Sequence, residues 1–343
     1  MKRLLLFLLL MVYSLTAQEK QDYSPKFTGY VRAWYQADFS TAQGQYLVKQ
    51  ARLNIAGAVN EYASYKFQVD FTRLGKLITT TTTVNNTQVV SSASATFSDV
   101  LLDAAGIITP FQNFDITAGQ FKVPFSTDNL RADQVTDFVN RPLHTNMSPS
   151  IRDIGVMLTY KLKGSVGAEF NLGSFNGAGF NKTENDKTAD LCLRGNVTPI
   201  KDLNVAANYY NGKAAGVNYN IFDFGTDYKI GSLFLDGEYV VRSASSTLLL
   251  PEINGVSYFA FAVYDININD SFIKNIIPAI RYENFDPNTS IDKDEIGRTT
   301  IGVTFQFAKL TFAHFRINYE KFDYKDGKTT NPDKLIFEIQ TRF

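Results

Sequence analysis

In the stretch "FTGYVRAWYQADF" (27–39), Phe27, Val31, Ala33, Tyr35 and Phe39 fall on one face of an extended chain, and Thr28, Arg32, Gln36 and Asp38 on the other. Successive side chains of a β-strand point to opposite faces, so a period of two is the signature of a sheet with one apolar and one polar side. "YKFQVDF" (65–71) repeats it, with Tyr65, Phe67, Val69 and Phe71 opposed to Lys66, Gln68 and Asp70. The same alternation recurs in "DIGVMLTYKL", "SVGAEFNL", "ADLCLRGNV", "SLFLDGEYVV", "GVSYFAFAVYDI", "RTTIGVTFQF" and "TFAHFRINYEKF". It predicts sixteen strands, near 27–39, 46–58, 63–73, 98–107, 113–121, 152–162, 165–174, 188–198, 203–211, 218–229, 232–242, 255–266, 275–284, 296–307, 310–322 and 333–343.

The connections alternate in length. Segments 59–62, 108–112 and 163–164 are short, whereas 74–97, 122–151 and 175–187 are long, and most later connections continue the pattern. Short turns at one end and long loops at the other are how an outer-membrane barrel meets the periplasm and the exterior. Nine of the ten prolines fall between the predicted strands and only Pro278 within one, as the missing proline N–H requires. The fold expected is therefore all-β, a 16-stranded antiparallel transmembrane β-barrel.

Closure follows from the lipid environment, because every backbone N–H and C=O there needs an internal partner. Sixteen strands enclose a water-filled bore, whereas about eight would be filled by their own side chains. A wet lumen also accounts for the ions on the polar faces, among them Arg32, Arg52, Lys66, Arg194 and Arg316, which are read as pore-lining. Composition agrees: 28 Phe and 18 Tyr accompany a slightly negative mean hydropathy, with no long apolar run.

The chain starts "MKRLLLFLLLMVYSLTAQ", a charged end, a short apolar core and small residues. This layout predicts a secretory signal peptide over 1–17, with the barrel occupying 18–343. Losing Lys2 and Arg3 would leave 32 basic against 34 acidic residues, a balance that points to no nucleic-acid partner. The lone Cys192 excludes an internal disulfide framework. Enzyme chemistry finds little support. His144 and His314 lie in no pattern that supplies a nucleophile or metal ligands, and neither a cofactor fingerprint nor a zinc spacing occurs. The remaining rival is a structural or adhesive barrel presenting loops such as the Thr/Ser-rich 79–96, read as a polar low-complexity loop.

The third external connection, 122–151, is long for a compact domain, and such connections are usually functional. It carries or adjoins Lys122, Arg131, Arg141 and Arg152, interleaved with Asp128, Asp133, Asp137 and Asp153. Within it, "NLRADQVTDFV" spaces Leu130, Val135 and Phe138 as a short helix would.

Three blocks, "KQARLNIAG" (49–57) with "YKFQVDF" (65–71), "ITAGQFKVPFSTDNL" (116–130) and "IRDIGVMLTY" (151–160), resemble the phosphate-selective porin O and P family of Gram-negative bacteria. The order and spacing fit over about 45–160. The resemblance implies a cell outer-membrane homotrimer, with a pore in each barrel for small anionic or polar solutes such as phosphate. It further implies that 122–151 folds inward as a pore-constricting loop, with Lys122, Arg131, Arg141 and Arg152 as anion-binding residues. Where the family often shows adjacent arginines, this chain has Lys49, Gln50 and Arg52. The ending "LIFEIQTRF" resembles the closing strand that the barrel-assembly machinery reads, with Phe343 as its terminal aromatic. No cofactor is implied.

Overall fold

The computed structural model describes residues 23–343 apart from 75–76, 85–86, 95–99, 184–187, 215, 246–252, 269–271, 308–312 and 328–332. The expected signal peptide, 1–17, lies outside the described residues. Alternation along the chain becomes one closed wall. Its staves are β1 (Lys26–Asp38), β2 (Gln43–Ala58), β3 (Ala63–Asp70), β4 (Leu101–Phe111), β5 (Phe114–Lys122), β6 (Arg152–Leu162), β7 (Gly167–Phe175) and β8 (Asp190–Ile200). They continue as β9 (Leu203–Ala214), β10 (Val217–Ile230), β11 (Leu233–Ala244), β12 (Ile253–Tyr264), β13 (Asn275–Asp286), β14 (Ile296–Gln306), β15 (Ala313–Tyr324) and β16 (Lys334–Arg342).

Every stave pairs antiparallel with its neighbours, and β1 closes on β16 from Tyr30↔Arg342 to Asp38↔Lys334. Gly29 and Phe343 extend the seam with reciprocal backbone hydrogen bonds of 3.0 and 2.9 Å. The sixteen-strand barrel is thus as expected. Closure leaves no open edge, which is what lipid demands of a sheet.

The two faces separate as the pattern requires. Val156, Leu158, Leu172, Phe224, Ile280 and Ile301 are exposed on the outer wall, while Arg32, Asp223, Glu283, Arg316 and Glu338 are buried inside. Exposed Tyr239, Tyr258 and Tyr282 form a row with ring centroids 6.4 Å apart, and Phe111 stacks on Phe114 at 4.7 Å beside a short turn. Phe111 and Phe114, at the ends of their strands, are of the kind expected where a barrel meets a membrane interface.

Three details differ from the expectation. Within the loop read as unstructured, Leu77–Val84 pairs with Thr87–Ser94 as a separate hairpin. Consecutive Thr and Val are poor landmarks by periodicity but favour extended backbone. Pro110 and Pro199 lie inside β4 and β8, each at a shift of register where no ladder N–H is missed. Finally, 130–138 is not a single helix. A short helix, Thr127–Leu130, is followed by extended Arg131 and Ala132 and a 3-10 turn at Asp133–Val135. The Lys122 ammonium donates to the carbonyls of Asn129, Leu130 and Arg131 at 2.7, 3.1 and 2.7 Å. Those are the acceptors a continuing helix would need.

Candidate functional site

The segment 123–151 leaves the wall at Lys122 and rejoins it at Arg152, residues paired across β5 and β6. The departure is shaped by Gly119, whose φ of 122° brings its Cα against the Ala104 carbonyl; a Cβ would sit 2.2 Å from that oxygen. Inward-facing side chains of distant strands then hold the segment by its backbone. Arg32 on β1 donates to Val139 O at 2.9 Å, Arg316 on β15 to Thr136 O at 2.7 Å, and Gln340 on β16 to Gln134 O at 3.0 Å. Arg281 and Arg298, on β13 and β14, donate to the carbonyls of Asn140 and Arg141 at 3.0 and 2.6 Å. In the opposite sense, the amides of Asp128, Val139 and Leu143 donate to Glu238, Asn318 and Glu283 at 2.5, 2.7 and 2.5 Å. Phe138 packs among Phe259, Phe261 and Val263, and Gly225 and Gly255 leave room for Thr127 and Met147.

These contacts sort the predicted basic residues. Arg32 and Arg316 share Glu338, at 2.5 and 3.2 Å. Arg194 sits apart, bonded to Asn208 and Thr127. Arg131 pairs with Asp137 at 2.5 Å and lies over the rings of Phe234 and Phe261. Four other predicted residues converge on β2–β4. Arg152 and Lys66 share Asp103 at 2.7 Å each. Arg52 bonds Asp70 at 2.9 Å and also Asp133, and Arg141 holds Asp133 at 2.5 Å and Asp128 at 2.9 Å. Lys122, one strand further on, is engaged by loop carbonyls rather than by acids.

Two cavities meet at Arg52. One, of about 240 Å³, is lined by Arg52, Arg73, Arg141 and Arg152, with Asp133 as the only acid among its described residues. The other, of about 430 Å³, is lined by Arg52, Lys66 and Arg342, together with Tyr30, Asn54 and Gln68. Across the barrel the sign reverses: Asp223, Asp236 and Glu238, on β10 and β11, are buried beneath the loop. In the loop itself, burial opposes ionisation of Asp133, but the Arg52 and Arg141 guanidiniums beside it win and hold its carboxyl well below the usual carboxylate range.

Sequence reasoning missed Arg73, Arg281, Arg298 and Arg342. Arg281 and Arg298 flank Glu283 at 2.8 and 2.7 Å. Their inward alternation in "AIRYENF" and "IGRTTIG" was the available signal. His144 and His314 are both buried; Ser126 Oγ lies 3.0 Å from His144 Nε2, and Glu338 3.4 Å from His314. Cys192 Sγ donates to Pro124 O at 3.4 Å. Among the described residues no group of His, Cys, Asp and Glu could hold a metal.

A closed sixteen-stave barrel with an ionic interior and an apolar exterior defines an outer-membrane channel. Residues 33–235, more than half of the chain, match the model of the phosphate-selective porin O and P family, and the chain belongs to that family. It is a porin of the Gram-negative outer membrane, a channel and not an enzyme. No curated protein matches the sequence. Among solved structures, OmpT of Vibrio cholerae is similar over 94% of this chain and 99% of its own, with 14% identity and a TM-score of 0.63. A second structure of OmpT, described as a trimer form, covers 93% and 99% with 13% identity and a TM-score of 0.58. The anion-selective porin from Comamonas acidovorans is similar over 93% and 99%, with 12% identity and a TM-score of 0.64. At these identities the likeness concerns the fold.

Proposed function

We propose that each barrel passes small hydrophilic anions such as phosphate, and that the segment 122–151 constricts the route to the side bounded by β2–β4. The observation that carries this reading is the pair of cavities sharing Arg52, whose described linings hold Arg52, Lys66, Arg73, Arg141, Arg152 and Arg342 against one acidic side chain, Asp133. Guanidinium groups present planar donor forks that suit phosphate and carboxylate oxygens. Charge concentrated in a narrow, low-dielectric opening raises the local concentration of the opposite ion.

Of the nine basic residues singled out in the sequence, Arg52, Lys66, Arg141 and Arg152 are assigned to this route. Arg32, Arg131, Arg194, Arg316 and Lys122 are assigned to holding the loop against the wall, since each donates to or lies against groups of the loop or of the inner wall. Asp70, Asp103 and Asp133 offset part of the basic charge, so the preference for anions is moderate rather than absolute. A homotrimer is proposed by analogy with the trimer form described for OmpT.

Purified protein in a planar bilayer under a potassium chloride gradient tests the reading. It is expected to insert in threefold conductance steps with an anion-selective reversal potential, and Arg52→Ala with Arg152→Ala is expected to move that potential toward cations. A cation-selective or unselective potential in the unaltered protein would leave a general diffusion porin. The absence of conductance would favour a structural barrel presenting loops.

A further inference from the structure

Asp133 occupies an unusual position for an acid in a basic route. It lines the cavity of Arg52, Arg73, Arg141 and Arg152, and its chain neighbours Ala132 and Gln134 line the other cavity. It therefore stands where the two spaces approach each other, on the loop side of Arg52. One carboxylate oxygen accepts from Arg52 and from Gln50 Nε2 at 2.9 Å; the other accepts from Arg141 at 3.0 and 2.5 Å. Two guanidiniums and an amide converging on one carboxylate are the surroundings a bound oxyanion would be given.

We infer that Asp133 is a specificity-determining residue, a tethered anion that fills the tightest basic position of the route and that a permeating oxyanion must displace from Arg52 and Arg141. The inference rests on the reading of this chain as an anion channel and deepens it. A fixed carboxylate serves conduction because an ion site must be favourable enough to enter and weak enough to leave. Two unopposed guanidiniums would trap a polyvalent anion, whereas guanidiniums shared with Asp133 release it. The groups facing Asp133 are Arg52 and Gln50 from β2, Arg141 from the loop, Lys122 at the end of β5 and Arg32 from β1. Arg52, Arg141 and Arg32 are guanidiniums, so Asp133 stays ionised at neutral pH and its effect is present there.

The test compares Asp133→Asn, Asp133→Glu and Asp323→Asn in the full-length protein, in planar bilayers, first in a potassium chloride gradient and then with potassium sulfate added. Asp323 is an exposed acid at the end of β15, and its neutralisation controls for a general change in charge. Asp133→Asn is expected to raise the chloride-to-potassium permeability ratio at least about twofold, the scale for losing one charge within a Debye length of the ion path. It is also expected to lengthen sulfate blockades, while Asp133→Glu and Asp323→Asn leave both near the unaltered values. An unchanged ratio in Asp133→Asn overturns the inference. So does loss of conductance in Asp133→Asn with normal conductance in Asp133→Glu, which would make Asp133 a brace of the loop. If the unaltered protein conducts no ions at all, the channel reading fails first, a result separable from either.

Discussion

At the scale of single residues, the lumen shows how one charge acquires different work from its neighbours. Lys122 and Arg152 face each other across β5 and β6, yet the first donates to three loop carbonyls and the second to Asp103 and Gln68. Replacing Lys122 by Met would leave those carbonyls without their donor, at a cost of about 1–3 kcal/mol for an unsatisfied buried group. The expected result is a lower urea midpoint for the folded barrel in lipid vesicles and noisier single-channel current, rather than a simple loss of anion preference. Asp133 gives a pH prediction. An unperturbed Asp titrates near about 3.9, and Asp133 is held well below that by the Arg52 and Arg141 guanidiniums despite burial. Its ionic stabilisation of the loop is therefore fully present above about pH 4 and is lost only as pH falls through the lowered value. Amide exchange of residues 131–141, corrected for intrinsic rates, should show equal protection at about pH 8 and about pH 5, with any loss confined to acid pH well below about 4. Equal loss already at pH 5 would contradict the assignment.

At the scale of elements, the strands were legible because each spans a boundary between oil and water. β15, "AHFRINYEKFDY", alternates buried and open positions almost without exception, and its period of two survives in the sequence. Departures occur where that boundary is absent. The hairpin Leu77–Val84/Thr87–Ser94 belongs to no two-faced wall, so its Thr and Val run carries no readable period. The turn after Thr127–Leu130 is dictated by Lys122 of a neighbouring strand and by groups across the lumen, so the local spacing of Leu130, Val135 and Phe138 suggests more helix than forms. The length and the charges of 122–151 were legible in the sequence. Its partners were not, because Arg281, Arg298, Asn318 and Gln340 join it from positions more than a hundred residues away.

At the scale of the molecule, closure converts a local alternation into a global segregation of charge. Arg52, Lys66 and Arg152 collect on β2–β6, and Asp223, Asp236 and Glu238 on β10 and β11, with the loop lying between the two groups. No single strand announces this, since each carries only a few ions, often of both signs. The sequence contains the charges, but only the register of the closed sheet sets which of them share a space. The central claim is that the basic side of this division forms the route for anions. It is tested most directly by the reversal potential of the unaltered protein in a planar bilayer under a potassium chloride gradient at neutral pH, repeated with Arg52→Ala and Arg152→Ala together. The account predicts an anion-selective potential that moves toward cations in the double variant. A cation-selective potential, or one that the double variant leaves unchanged, would contradict it.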